Sequence, residues 1–106
     1  MSKIKITVIK KFSPMDVFGH EIIDPPSGQV SRICSEFEQG QEYIVEGLQC
    51  PEGFCRWAWH DLYKDLLVLL FGGEHSWTES GVMYTSCTDG KRPVCFKLER
   101  IRGFNF

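Results

Sequence analysis

The chain has 106 residues, enough for one domain, and its hydrophobic (42%) and charged (25%) fractions are those of a globular protein, which excludes a disordered chain. Its formal net charge is −2 and its basic residues are scattered apart from Lys10-Lys11 and Lys91-Arg92, which argues against nucleic acid as a partner because phosphate binding draws on clustered Lys and Arg. The longest apolar run, Leu66 to Phe71, is far short of the roughly 18–20 residues of a membrane span, so no membrane partner is expected.

Ile4, Ile6 and Val8 alternate with Lys3, Lys5 and Thr7, the period of a half-buried strand. The same lysines, with Lys10 and Lys11, interrupt what a signal peptide would need as an apolar core. Met15 to Phe18 is too short to assign, and Asp24-Pro-Pro-Ser-Gly28 reads as a loop, with room for a short extra strand near Glu21 to Asp24. Phe37 to Gly47 reads as a turn feeding a second strand with Tyr43 and Val45 on one face. Residues 57 to 71 carry the strongest helical period. Trp59, Leu62, Tyr63, Leu66, Leu67, Leu69 and Leu70 form its apolar stripe, and His60, Asp61, Lys64 and Asp65 its polar face.

Gly72-Gly73 should stop that helix with a left-handed cap. After a loop from Glu74 to Gly81, Val82 to Cys87 and Val94 to Ile101 form a hairpin around Asp89-Gly90. The expected architecture is a single α+β domain spanning residues 1 to 106, with one long helix, about residues 56 to 71, packed on a mainly antiparallel sheet.

Hairpin register decides what Cys87 can do. A two-residue turn at Asp89-Gly90 sets Thr85 opposite Val94, and a four-residue loop from Asp89 to Arg92 sets Cys87 opposite Val94. Either puts Cys87 on the face of Val94 and Phe96, with Cys95 on the other. A three-residue loop would pair Cys87 with Cys95. Asp-Gly chemistry favours the two-residue turn, so Cys87 is expected to point inward and Cys95 outward.

The five cysteines are Cys34, Cys50, Cys55, Cys87 and Cys95. An odd number without an export signal suits a reducing, cytoplasmic setting, with thiols free or metal-bound. Cys55 lies where a Gly-containing loop, Cys50-Pro-Glu-Gly-Phe, hands over to the helix, and a helix start presents unpaired N–H groups to a thiolate. Cys34 precedes the second strand and can reach the same end. Convergence of Cys34, Cys55 and Cys87 would make a site for zinc, iron or an iron–sulfur cluster with an open position, or a redox site. Cys50-x4-Cys55 is looser than a zinc-ribbon knuckle, and free cysteines are more often small buried residues. His20, His60 and His75 read as solvated surface histidines. Trp57, Trp59 and Trp77, with Tyr63, are candidates to line a ligand pocket, although aromatic residues at helical spacing are more often core. The run Lys97 to Arg102 alternates as an exposed strand does and carries no evident chemistry.

The opening Lys-Ile-Lys-Ile-Thr-Val-Ile-Lys, Cys34-Ser-Glu-Phe-Glu-Gln-Gly-Gln-Glu-Tyr, Pro51-Glu-Gly-Phe-Cys-Arg-Trp-Ala-Trp, Phe71-Gly-Gly, Trp77 and Cys87-Thr-Asp-Gly-Lys-Arg-Pro-Val-Cys-Phe-Lys-Leu-Glu-Arg-Ile101 carry a resemblance. The sequence resembles a family of small proteins of about a hundred residues, frequent in anaerobic bacteria and archaea, with no established activity. The resemblance covers most of the chain and implies recurring thiols at Cys34, Cys55 and Cys87, with Cys50 and Cys95 at positions not restricted to cysteine. The family often carries a further cysteine where this chain has Ser86, which weakens any scheme needing four protein thiolates.

Three readings follow. The first is a small cytoplasmic protein binding a metal ion or iron–sulfur cluster through Cys34, Cys55 and Cys87. The second is a thiol enzyme or redox protein in which Cys55 is nucleophile and Cys34 or Cys87 resolves it. The third is an accessory subunit with structural cysteines. The partner, small molecule or protein, is open, and so is a homo-oligomer.

Overall fold

The computed structural model describes residues 3–101, so Arg102, at the end of the charged run, lies outside the described residues. The elements are β1 (Lys3–Lys11), α1 (Pro14–Phe18), β2 (Glu42–Glu46), α2 (Arg56–Leu70), β3 (Val82–Ser86) and β4 (Val94–Ile101). The strands form one sheet in the order β2-β1-β4-β3, with every neighbour antiparallel. This is a small α+β fold. No helix among the described residues is long and apolar enough to cross a membrane.

The alternation in the strands makes the sheet one-sided. Ile4, Ile6 and Val8 of β1, Val45 of β2, and Val94, Phe96 and Leu98 of β4 are fully buried under α2, which lays Ala58, Leu62, Leu66 and Leu69 across them. The opposite face carries ion pairs, Lys3 to Glu46 at 3.0 Å and Lys5 between Glu42 and Glu99 at 3.7 Å each. Phe37 and Phe54 wedge over Phe96, with ring centroids 5.1 and 5.9 Å from it, and close the core at the end where α2 begins.

Helix α2 has 15 residues, about 22 Å at about 1.5 Å per residue, an ordinary length and not the long element expected. It stops where the chain needs a left-handed residue, Gly72 at φ +82°. Gly73 follows with its N–H on the Val68 carbonyl at 2.8 Å, and a Cβ there would lie 2.8 Å from Val68 Cγ1. Arg100 then donates to the Leu69 and Gly73 carbonyls at 3.0 and 2.8 Å and to Glu74 at 2.6 Å. Far from being an idle exposed strand, the charged run thus places a cation on carbonyls at the C-terminal end of the helix, in addition to the Gly72 N–H that the Leu69 carbonyl accepts at 3.2 Å.

Two polar side chains depart from the expected surface. Asp65 stands three residues after Leu62 and four before Leu69, on the core stripe itself, and is buried. Its carboxylate lies 3.5 Å from His75 Nε2, and both side chains are 8% exposed, so His75 is not a solvated histidine. The loop after Gly73 folds back far enough to bury it. Two short elements also emerge. Ser13 and Asp16 make a reciprocal capping box that starts the five-residue α1, and the expected strand near Glu21 reduces to one bridge, Ile23 with Val30.

In the hairpin Ser86 pairs with Cys95 and Thr85 with Phe96, and the Cys87 N–H donates to the Val94 carbonyl at 3.0 Å. That is the register of the four-residue loop, not of the two-residue Asp-Gly turn. Asp89 decides it. Its Oδ1 accepts the N–H groups of Lys91 and Arg92 at 3.1 and 3.3 Å, and Gly90 is not among the glycines at positive φ. The face assignment is unchanged, since Cys87 stands opposite Val94, and Cys95 pairs one residue away on the other side.

Candidate functional site

Three separate segments bring a sulfur to the start of α2. The turn Pro51 to Phe54 closes with the Phe54 N–H on the Pro51 carbonyl at 3.1 Å and needs Gly53 at φ +80°. It sets Cys55 as the helix N-cap, extended at φ −60° and ψ 122°, with Sγ accepting the Ala58 N–H at 3.5 Å. Cys87, just past β3, has Sγ accepting the Val94 N–H at 3.3 Å. Cys34, in the loop before β2, has Sγ accepting the Glu36 N–H at 3.4 Å.

Cys34, Cys55 and Cys87 line one cavity of about 90 Å³. Phe37, Ala58 and Val94 contribute its apolar walls, Glu36, Asp89 and Arg92 its charges, and Trp57, 63% exposed, also borders it. As the side chains stand they surround a space rather than a point. Among the described residues, no three His, Cys, Asp or Glu side chains are grouped to hold a metal ion.

The other two thiols behave differently. Cys50 points its S–H at the carbonyls of Pro51 and Phe54, 3.6 and 3.9 Å away, and burial pushes its thiol up from its ordinary pKa. Burial, aided by the neighbouring Cys87, does the same to Cys95 on the open sheet face. All five cysteines are free.

Contacts in and around the cavity hold its walls. Asp61 on α2 accepts the Thr88 N–H at 2.8 Å and its hydroxyl at 3.1 Å, which ties the hairpin loop to the helix. Lys91 reaches Asp24 at 2.9 Å and holds its carboxyl below the ordinary range. Burial opposes ionisation of Asp89, yet the Arg92 guanidinium at 3.1 Å and the N–H groups of Lys91 and Arg92 outweigh it and keep that carboxyl low.

The fourth tether comes from a bulge. Pairing runs Val8 with Phe96, then Lys10 with Cys95 and Lys11 with Val94, so Ile9 is an extra residue. Unbroken alternation would send Lys11 to the outer face. The bulge returns it to the inner one, where Nζ donates to the Cys34 carbonyl at 3.0 Å.

Of the aromatic candidates, only Trp57 borders the thiol cavity. Trp59 packs edge-on to Phe54 and Tyr63, and Trp77, 71% exposed, stands against His75, so the three tryptophans do not share a pocket. His60 and His20 are exposed. Glu36, Asp89, Arg92 and Lys11 were not candidates from sequence. Asp89 reads as part of the hairpin turn and Lys91-Arg92 as a short basic pair, and only the loop register shows that Asp89 and Arg92 line the cavity.

Protein-family models, curated proteins and solved structures give no match to this chain. The family resemblance therefore stands on the sequence motifs alone.

Proposed function

We propose that Cys34, Cys55 and Cys87 form a soft-ligand site, binding a thiophilic metal ion or an iron–sulfur cluster in a small protein of a reducing, cytoplasmic compartment. One observation carries the reading. Each of these three sulfurs accepts a backbone N–H, while Cys50 acts as a donor. Hydrogen bonds to an ionised acceptor are roughly twice as strong as neutral ones, and N–H donors to ligand sulfurs are a means by which proteins tune metal–thiolate centres. The cavity's charge points the same way, since three thiols and two carboxylates face a single guanidinium. Element analysis of protein prepared anaerobically tests it. Bound zinc or iron should fall sharply when any of the three is replaced by Ser and stay unchanged in Cys95→Ser. A preparation without metal, or a Cys87→Ser variant that keeps it, would sink the reading.

A second reading rests on Cys55 alone as helix N-cap beside an exposed Trp57. There Cys55 serves as nucleophile or redox thiol, with Cys34 or Cys87 as its resolving partner. Alkylation of metal-free protein below neutral pH discriminates. This reading requires Cys55 to react well ahead of the other four thiols.

A further inference from the structure

Resting on the metal reading, we infer that the cavity is built for a polynuclear iron–sulfur cluster rather than a single ion, with Glu36 as the protein group offered to the iron that no thiolate reaches. Size is the first argument. A single ion bound by three thiolates needs its sulfurs about 2.3 Å from one centre. Here the three sulfurs border about 90 Å³ of space, against the roughly 10–15 Å³ that one water requires, and no three donors among the described residues are grouped for an ion.

The sulfurs are also held where they are. Turning a cysteine χ1 to another staggered well would carry its sulfur by about 3 Å, but each of the three would then give up its N–H donor at 3.3–3.5 Å. The three bonds come from three different segments, so any sulfur that had to rotate towards a single ion would give up its own N–H donor. A cluster, whose irons are bridged by inorganic sulfide, is larger than one ion and asks for less of that movement.

In a cluster of four irons, three thiolates leave one iron without a cysteine, and no fourth thiol lines the cavity. Two carboxylates line the cavity. Both oxygens of Asp89 are committed, Oδ1 to the Lys91 and Arg92 N–H groups and Oδ2 to Arg92 Nε. Among the described residues, the Glu36 carboxylate has no hydrogen bond and no ion pair. Its backbone N–H is the donor to Cys34 Sγ, so the residue that orients one ligand also presents the free carboxylate.

Reconstitution of the metal-free 106-residue chain with equal amounts of ferrous and ferric iron plus sulfide, so that no added oxidant is needed, and separately with zinc alone, tests this. The expected result is equimolar iron and acid-labile sulfide on the chain, with a broad visible absorption that bleaches on reduction. That signal should be lost in the Ser variants at Cys34, Cys55 and Cys87 and kept in Cys95→Ser, with far-UV circular dichroism confirming that each variant is folded. Glu36→Gln should keep the iron but shift the electron paramagnetic resonance spectrum of the reduced cluster. An unchanged spectrum overturns the role of Glu36. Zinc bound one per chain with all three thiols protected, and no iron–sulfide product, overturns the cluster while the metal reading stands. If neither zinc nor iron binds, both fall.

Discussion

A cysteine's neighbours decide whether its sulfur acts as a base or as a small apolar group. Cys34, Cys55 and Cys87 each receive an N–H, whereas Cys50 spends its own proton on carbonyls and Cys95 sits partly buried between strands. Because burial raises the thiols of Cys50 and Cys95 and the thiolate is the reactive form, both should alkylate more slowly at pH 7 than an exposed cysteine. Alkylation rates followed by mass spectrometry in metal-free variants with Ser at the other cysteines would measure this. Cys95 reacting as fast as a free thiol would contradict it. Parity along the last strand was legible before the fold was known, because it needs only the alternation of Val94, Phe96 and Leu98. The hydrogen-bond roles were not, since each depends on a backbone N–H two to seven residues away.

Elements were read well where one period dominated and poorly where a side chain from elsewhere intervened. The α2 stripe was visible as leucines, but Asp65 lies on it, and Lys64 at 3.1 Å together with His75, supplied by the loop, makes its burial tolerable. The exit of α2 depends similarly on β4. Arg100, 16% exposed, donates to two carbonyls at the helix end and to Glu74, whose carboxyl is held low by the Gly81 N–H first, then by Ser80 and Arg100. Arg100→Met keeps most of the aliphatic stem and removes those bonds. Since hydrogen bonds to charged groups contribute about 1.5–3 kcal/mol net, it should destabilise by about that much in urea unfolding. Removing the exposed Lys3–Glu46 pair should cost no more than about 1 kcal/mol. Equal effects would mean that Arg100 does not hold the helix end.

At the scale of the whole molecule, the site is a junction whose parts are far apart in the chain. Asp61 fixes the hairpin loop to α2, Lys91 fixes it to the segment around Asp24, and the bulge in β1 lets Lys11 hold the backbone of Cys34. None of these long-range contacts has a local signature, which is why the cavity's thiols could be named from sequence but not its charged wall. Two of the carboxyls involved, Asp24 and Asp89, have pKa values lowered in the folded chain from the ordinary 3.8. A lowered carboxyl adds stability that is complete above its unfolded value and is lost as pH falls through its folded value. The loop should therefore stay docked at pH 3.8 and release only in stronger acid, while β1 and β4, joined by backbone bonds and apolar contacts, keep their pairing. Lys91→Met removes the main cause of the Asp24 shift, so the Asp24 titration should move up towards 3.8 and the loop should begin to release at higher pH. Carboxyl and amide chemical shifts followed by NMR between neutral pH and acid measure both effects, with Thr88, Lys91 and Arg92 reporting on the loop and Ile6 and Phe96 on the sheet. An Asp24 midpoint that Lys91→Met leaves unmoved would show that the ion pair does not hold this wall. Loop and sheet signals that collapse together at one pH would show that the junction has no stability separate from the fold.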